Sequence, residues 1–336
     1  MLVTCAGILV ADIFAANLPR ISDPGQLTFA PNGIEMHSGG HSANVSINLR
    51  KTGLSEVSSV GAIGEDLFGQ FIESVLKSHG VITHLQRTRE IGTSKDLVLI
   101  VKGEDRRYHV DVGANWYLSP DHVLSVLIEE KPIVFYVGAT GMLGEFDERL
   151  ANILRKAKGF SSLTFVDPVL PYGRGWGFLF RALEWIDIFH CNDAEASSMT
   201  GEKEPRKAAQ ALIKEGVKFV IISMGERGLI ARTAQVTFQM PALKVPVIDP
   251  SGAGDAFCSG VIYKLVQKMR YEPRVISNLS TDDLTDILLE GAATGASCVT
   301  AVGTTTAVTR ENVDSLLRQQ GPEILGNVVM TTEEEA

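Results

Sequence analysis

The chain has 336 residues, 45% of them hydrophobic and 21% charged, with a formal net charge of −9; this is an ordinary globular balance, long enough for one large α/β domain or two smaller ones. The acidic excess argues against sequence-general nucleic-acid binding, which needs a basic face, and no apolar run reaches the ~18 residues of a membrane-spanning helix. Cys5, Cys191, Cys258 and Cys298 are far apart, form no Cys-x-x-Cys pair and sit among apolar neighbours, which reads as buried thiols in a reducing, cytoplasmic setting rather than a disulfide framework.

In chain order, the apolar start "VTCAGILVAD" lacks the basic flank of a secretory leader and reads as a first strand closed by Asp12. "GGHSANVSINLRKTG" reads as a helix opened by two glycines and closed near Gly53, followed by the strand "EVSSVGAIGED" and the helix "LFGQFIESVLKSHG". Then come "KPIVFYVGAT" (strand), "EFDERLANILRKAKG" (helix), and "LTFVDPV" and "IDIFHCN" (strands). "PRKAAQALIKEG" (helix) and "VKFVIISMG" (strand) follow, then "VIDPSGAGDAFCSGVIYKL", which reads as β-type apolar residues leading through Asp-Pro-Ser-Gly-Ala-Gly-Asp into a helix, and the Gly/Ala-rich helix "DILLEGAATGASCVTAVG". Continuous apolar strands spaced by helices imply a buried, mostly parallel sheet covered on both faces. Two segments, about 13–37 and 93–112, instead alternate apolar and polar residues between turn signals, and read as a small strand-built lid. Arg106 and Arg107 in "GEDRRYH" fall on this lid, where they either meet an anionic substrate or make a solvated turn. The expected organisation is one domain over residues 1–330, with a frayed acidic tail at 331–336.

The stretch at 247–265 carries the most chemistry. Two glycines and an alanine (Gly252, Ala253, Gly254) at a helix mouth let an anion approach the unpaired N–H groups and the positive end of the helix dipole. A bare phosphate site would avoid the carboxylate of Asp255 in that first turn. The pair makes sense if Asp255 takes a proton from a hydroxyl that attacks phosphorus while the amides stabilise the transferring group. The plainer reading is a capped helix after a glycine turn. Four weaker signals sit at other strand-to-helix junctions. Asn192 and Glu195 either orient a Mg2+–phosphate cluster or form a capping box. Ser223, Gly225 and Gly228 in "SMGERG" suit a nucleotide contact or a plain turn. Gly39, Gly40 and Asn44 would let a polyol lie against the backbone, and Asp12 would accept bonds from two adjacent hydroxyls or merely cap a strand. In an open α/β sheet all these junctions share one edge, so the signals converge on one crevice.

The motifs "SGGHSANVSINLRKTGLSEVSSVGAIGEDLFG" and "VIDPSGAGDAFCSG", in this order and widely separated, resemble those of the PfkB/ribokinase family of carbohydrate and nucleoside kinases. The resemblance covers nearly the whole chain and implies a ribokinase-like three-layer αβα sandwich with a mostly parallel central sheet and a small β-strand lid. It implies ATP-dependent phosphorylation of a hydroxymethyl group, with Asp255 as base and the 252–254 amides as anion hole. Asn192 and Glu195 would govern Mg2+ and phosphate; Asp12, Gly39, Gly40, Asn44 and Asn115 would contact the sugar; Ser223, Gly225 and Gly228 would meet the nucleotide. "GAATGASCVTAVG" would wall the adenine. A K+ site is implied in some members, here at Asp249, Ser251 and the carbonyls of Cys298, Ala301 and Gly303, although Ala307 stands where a hydroxyl ligand is expected. Asp249-Pro250-Ser251 departs from the Asp-Thr common before Gly-Ala-Gly-Asp but keeps the spacing. Arg174, in "PYGRGWG", stands near where sugar-acid kinases grip a carboxylate.

Within the same chemistry the acceptor is a sugar or a nucleoside; Phe14, Phe29 and Trp116 would supply the apolar slot a nucleobase needs. A non-catalytic sugar sensor has no use for Asp255, and a Rossmann dehydrogenase lacks its Gly-x-Gly-x-x-Gly after the first strand. The lid's edges need cover, which a homodimer through the lid would give.

Overall fold

The computed structural model describes residues 1–104, 106–269 and 276–332. Its strands are β1 (Val3–Gly7), β2 (Val10–Leu18), β3 (Glu35–Gly39), β4 (Val57–Gly64), β5 (Ile82–Thr88), β6 (Lys95–Val101) and β7 (Arg107–Asp111), then β8 (Val134–Thr140), β9 (Leu163–Pro168), β10 (Ile188–Asn192), β11 (Phe219–Ser223), β12 (Leu229–Arg232), β13 (Val236–Met240) and β14 (Val329–Thr332). Ten form one sheet in the order β14-β13-β12-β11-β10-β9-β8-β1-β4-β5, parallel from β11 to β5 and antiparallel from β11 outward to β14. β1, β4, β8 and β9 are buried at every residue. That is why they are continuous apolar runs: a strand covered on both faces has no side to give to water.

Two apolar cores fill the two faces. On one, Val45 and Leu49 of the helix His41–Thr52 pack with residues of the helices Ala253–Lys268 and Thr281–Cys298. On the other, the helices Pro120–Glu130, Leu150–Gly159 and Pro205–Lys214 contribute Val123, Ile153 and Leu212. The result is three layers, αβα. Among the described residues no helix is long and apolar enough to cross a membrane.

The second sheet, β3-β2-β6-β7, is the small one; β2 runs parallel to β6 and antiparallel to β3. It matches the two alternating segments, except that 19–34 joins its strands as irregular chain. Four details differ from the sequence reading. "VTCAGILVAD" is two strands in two sheets, broken at Ile8 and Leu9, so Asp12 sits early in β2 instead of closing β1. Asn115 makes that break: its Oδ1 accepts from Leu9 N–H and its Nδ2 donates to Leu9 O, both at 3.0 Å, satisfying backbone that leaves one ladder for the other. The helix expected over 145–159 is two helices, Glu145–Glu148 and Leu150–Gly159. Val247 and Ile248 are exposed and belong to no strand. Of the tail expected to fray, Thr331 and Thr332 pair in β14 with Thr237 and Val236; 333–336 lie outside the described residues.

Candidate active site

The helix Ala253–Lys268 begins after Gly252, whose φ of 73° is left-handed and where a Cβ would stand 2.7 Å from the Thr304 Cβ, so glycine is required on both counts. Gly252, Ala253, Gly254 and Asp255 all line a cleft of about 540 Å³. Its floor is the carboxyl edge of the parallel strands: Ile8 after β1, Asp167 and Pro168 of β9, Asn192 of β10 and Ser223 of β11. Its roof is the lid, with Ser94 before β6, Asp96 in β6, and Tyr108 and Val110 in β7. The first amides of the helix have no partner within it, and here they border the cleft.

Asp255 is 7% exposed. Its Oδ2 accepts from Asn44 Nδ2 at 2.8 Å, and Asn44 Oδ1 in turn accepts from Thr304 Oγ1 at 2.7 Å. Its Oδ1 is buried without a hydrogen bond, 3.7 Å from His41 Nε2. Burial raises the Asp255 carboxyl above its ordinary range, with Asp167 adding to the shift and His41 and Asn44 opposing it. Asn44 therefore holds the carboxylate with one N–H of its amide.

Behind Asp255 lies a chain of groups the sequence reading did not single out. Asp167 Oδ1 meets His190 Nδ1 at 3.0 Å, and its Oδ2 accepts from Tyr136 OH at 3.1 Å and Cys258 Sγ at 3.4 Å. His190 Nε2 lies 3.2 Å from Ser223 Oγ, and its ring stacks on Phe257. Burial alone would raise the Asp167 carboxyl, but His190 and His41 hold it below the ordinary value; burial alone would lower the His190 ring, and Asp167 lifts it above. The available signal was a polar residue inside each of two apolar strands, Asp167 in "FVDPV" and His190 in "FHCN".

Asn192 and Glu195 form the capping box: Asn192 Oδ1 accepts from Glu195 N–H at 2.8 Å and Glu195 Oε2 from Asn192 N–H at 2.9 Å. Both line the cleft as well, and burial pushes the Glu195 carboxyl up to about 7, so forming the box does not remove either residue from the cleft. Ser223 lines the cleft. Gly225 and Gly228 instead turn β11 into β12, with a Cβ on Gly228 placed 2.1 Å from Met240 O.

At the lid end, Asp12 is 7% exposed, and a Cβ on Gly39 would stand 1.9 Å from its Oδ2, so Gly39 makes room for that carboxylate. Gly40, at φ 87°, lets the helix His41–Thr52 start against Ile8 O, 2.4 Å from where its Cβ would be. Asn115 lines the cleft, but the Leu9 backbone takes its carbonyl and one N–H.

Of the residues expected to hold K+, Asp249 and Ser251 have their side chains engaged otherwise. Asp249 Oδ1 accepts from Ser251 N–H at 2.9 Å and Oδ2 from Gly303 N–H at 3.0 Å, stitching two loops together. Ser251 Oγ accepts from Arg106 Nη1 at 3.1 Å and lies 3.1 Å from Tyr108 OH. Ser251 O and Thr304 O accept from Cys298 Sγ; Ala301 and Gly303 lie in the turn after that helix. With a guanidinium on the Ser251 hydroxyl, this set does not fit a second cation. Arg106 thus reaches from the lid to the helix mouth, whereas Arg107 pairs with exposed Glu104. Arg174 faces away from the cleft function: it pairs with Asp147 and Glu148 and packs over Trp116 and Phe178.

Comparison with known proteins agrees with this architecture. Residues 2–311 match the family described as pfkB family carbohydrate kinase. The chain is 27% identical over 285 residues to an aminoimidazole riboside kinase of Salmonella typhimurium, covering 80% of this chain and 84% of that one. It is 24% identical over 236 residues to an ATP-dependent 6-phosphofructokinase of Thermoanaerobacterium thermosaccharolyticum, covering 68% and 72%. In fold it is similar to the ribokinase of Giardia lamblia, with a TM-score of 0.82 at 21% identity over 95% of this chain and 98% of that one. The family match spans most of the sequence, and the chain belongs to the pfkB family of carbohydrate kinases.

Proposed function

We propose that the protein transfers the γ-phosphoryl group of ATP to a hydroxymethyl group of a sugar. The single observation that carries this reading is Asp255, a buried carboxylate with one oxygen fixed by Asn44 and the other without a hydrogen bond, on a helix mouth that borders the cleft. Asp255 Oδ1 takes the proton of the acceptor hydroxyl as its oxygen forms the new bond to phosphorus; the bond from phosphorus to the β–γ bridging oxygen breaks, and ADP leaves with that electron pair. The amides of Gly252, Ala253 and Gly254 stabilise the charge on the moving phosphoryl oxygens. The cleft is roofed by the lid, which favours transfer to the acceptor over transfer to water. Glu195 and Asn192, which line the cleft, would hold Mg2+ through water, and the ion would supply charge neutralisation at the phosphates.

A sugar is favoured over a nucleoside because the three aromatic residues considered for a nucleobase slot are all elsewhere. Phe14 is buried against His37, Trp116 lies between Arg174 and Tyr172, and Phe29 is 83% exposed on the loop of the lid. That loop also exposes Leu27 and Ile34, which supports pairing of two lids in a homodimer. The test of function is an acceptor screen: sugars, polyols and nucleosides with MgATP, read by ADP release in the wild type and Asp255→Asn. Asp255-dependent turnover of a sugar is expected; turnover confined to nucleosides would overturn the choice of acceptor.

A further inference from the structure

Asp96 was absent from the sequence reading, and its surroundings are unusual. β2 and β6 run side by side with Asp12 in register with Asp96, so two carboxylates project from the same face of the lid sheet on neighbouring strands. Neither makes a hydrogen bond or ion pair with any described residue; Asp12 is nine-tenths buried and Asp96 Oδ1 is wholly buried without a partner. Asp96 lines the cleft, and Asp12 sits against Gly39 where no side chain could fit. On the lid, His37, in register with Asp12 on β3, pairs with Glu35, Lys95 pairs with Asp111 at 2.9 Å and donates to Thr93 O, and Arg106 bonds to Ser251 at the helix mouth. Burial pushes both carboxyls up, Asp96 to about 6; Asp111 adds to the rise at Asp96, and Asp96, Asp255 and Asp249 add to the rise at Asp12. Adjacent carboxylates of like charge with no donor among the described residues, one of them with a wholly buried oxygen, are costly unless a ligand brings donors to them.

We propose that Asp96 is a second acceptor-binding carboxylate and that, with Asp12, it restricts the cleft to uncharged polyhydroxylated acceptors and rejects those carrying a phosphate or carboxylate group. Each carboxylate accepts two hydrogen bonds from hydroxyls of the acceptor, while an anionic acceptor would place like charge beside the pair in a site of low dielectric. The inference rests on the sugar-kinase reading and deepens it by naming the charge of the substrate.

The experiment measures binding to the full chain without ATP, by calorimetry, for pentoses, hexoses, polyols and nucleosides and for their phosphate and carboxylate counterparts, including D-fructose against D-fructose 6-phosphate and D-glucitol against D-gluconate. The tightest ligand is expected to be uncharged and to exceed its anionic counterpart by at least about tenfold. Asp96→Asn, with an unchanged melting temperature, should shrink that ratio about tenfold, because the amide keeps the shape and removes the charge. A tightest ligand that is anionic, a ratio unmoved by Asp96→Asn, or no ligand sensitive to Asp96 at all overturns the inference. Turnover is scored separately: a neutral ligand held through Asp96 but never phosphorylated counts against the kinase reading alone, and an anionic acceptor that is phosphorylated well counts against this inference alone.

Discussion

Asn44 and Asp255, 211 residues apart in sequence, are joined by a 2.8 Å hydrogen bond that fixes one carboxylate oxygen and leaves the other without a hydrogen bond. Removing the donor would leave the carboxylate under-satisfied and free to rotate. Asn44→Ala should lower kcat by about 10- to 100-fold with a smaller change in the acceptor KM, since the amide acts through the base. It should also cost about 1–3 kcal/mol of stability for the buried partners it strands. Steady-state kinetics with thermal unfolding check both; an unchanged kcat would show that the bond has no part in positioning Asp255.

His41 opposes the rise in the Asp255 carboxyl. The base must be ionised, so activity rises with pH through its pKa. Without His41 that pKa moves up, and in His41→Gln the acidic limb of the kcat/KM profile should shift to higher pH. A limb that stays in place would remove His41 from the electrostatics of the base.

Glu195 has its carboxyl raised by burial to about 7, above the ordinary ~4.3. The folded protein therefore holds a proton there that the unfolded chain gives up between those values, and stability falls as pH rises across that window. Glu195→Gln keeps the capping-box acceptor and removes the charge. It should be more stable than the wild type at pH 8 by about 1–3 kcal/mol and indistinguishable at pH 4. Chemical denaturation at the two pH values checks the sign.

With Arg106 on the Ser251 hydroxyl and both Asp249 oxygens taken by backbone N–H groups, exchange of K+ for Na+ at constant ionic strength should change kcat/KM less than about twofold, a small fraction of the tenfold that 1.4 kcal/mol would produce. A strong K+ requirement would mean that this loop rearranges when substrates bind.

Much of this site was legible because it is local. A helix mouth, its glycines and its carboxylate fall within four consecutive residues, 252–255, and the parallel strands are plain apolar runs because both faces are covered. The break between β1 and β2 was not legible: "CAGILVAD" has no turn residue at Ile8–Leu9, and the kink exists because Asn115, 106 residues away, bonds the Leu9 backbone. For the same reason the hold of Asn44 on Asp255 was not legible: its partners, Asp255 and Thr304, come from the far end of the chain. Asp96, Asp167 and His190 carry no local motif, and only the sheet register brings Asp96 beside Asp12.

The central claim is tested most directly by comparing the wild type and Asp255→Asn with MgATP and a sugar acceptor found by the screen, measuring kcat and ATP affinity together. The account predicts that kcat falls by about 10²- to 10⁴-fold, the worth of a positioned general base, while the ATP Kd stays within about twofold, well under the tenfold of 1.4 kcal/mol. Near-normal turnover in Asp255→Asn would contradict it.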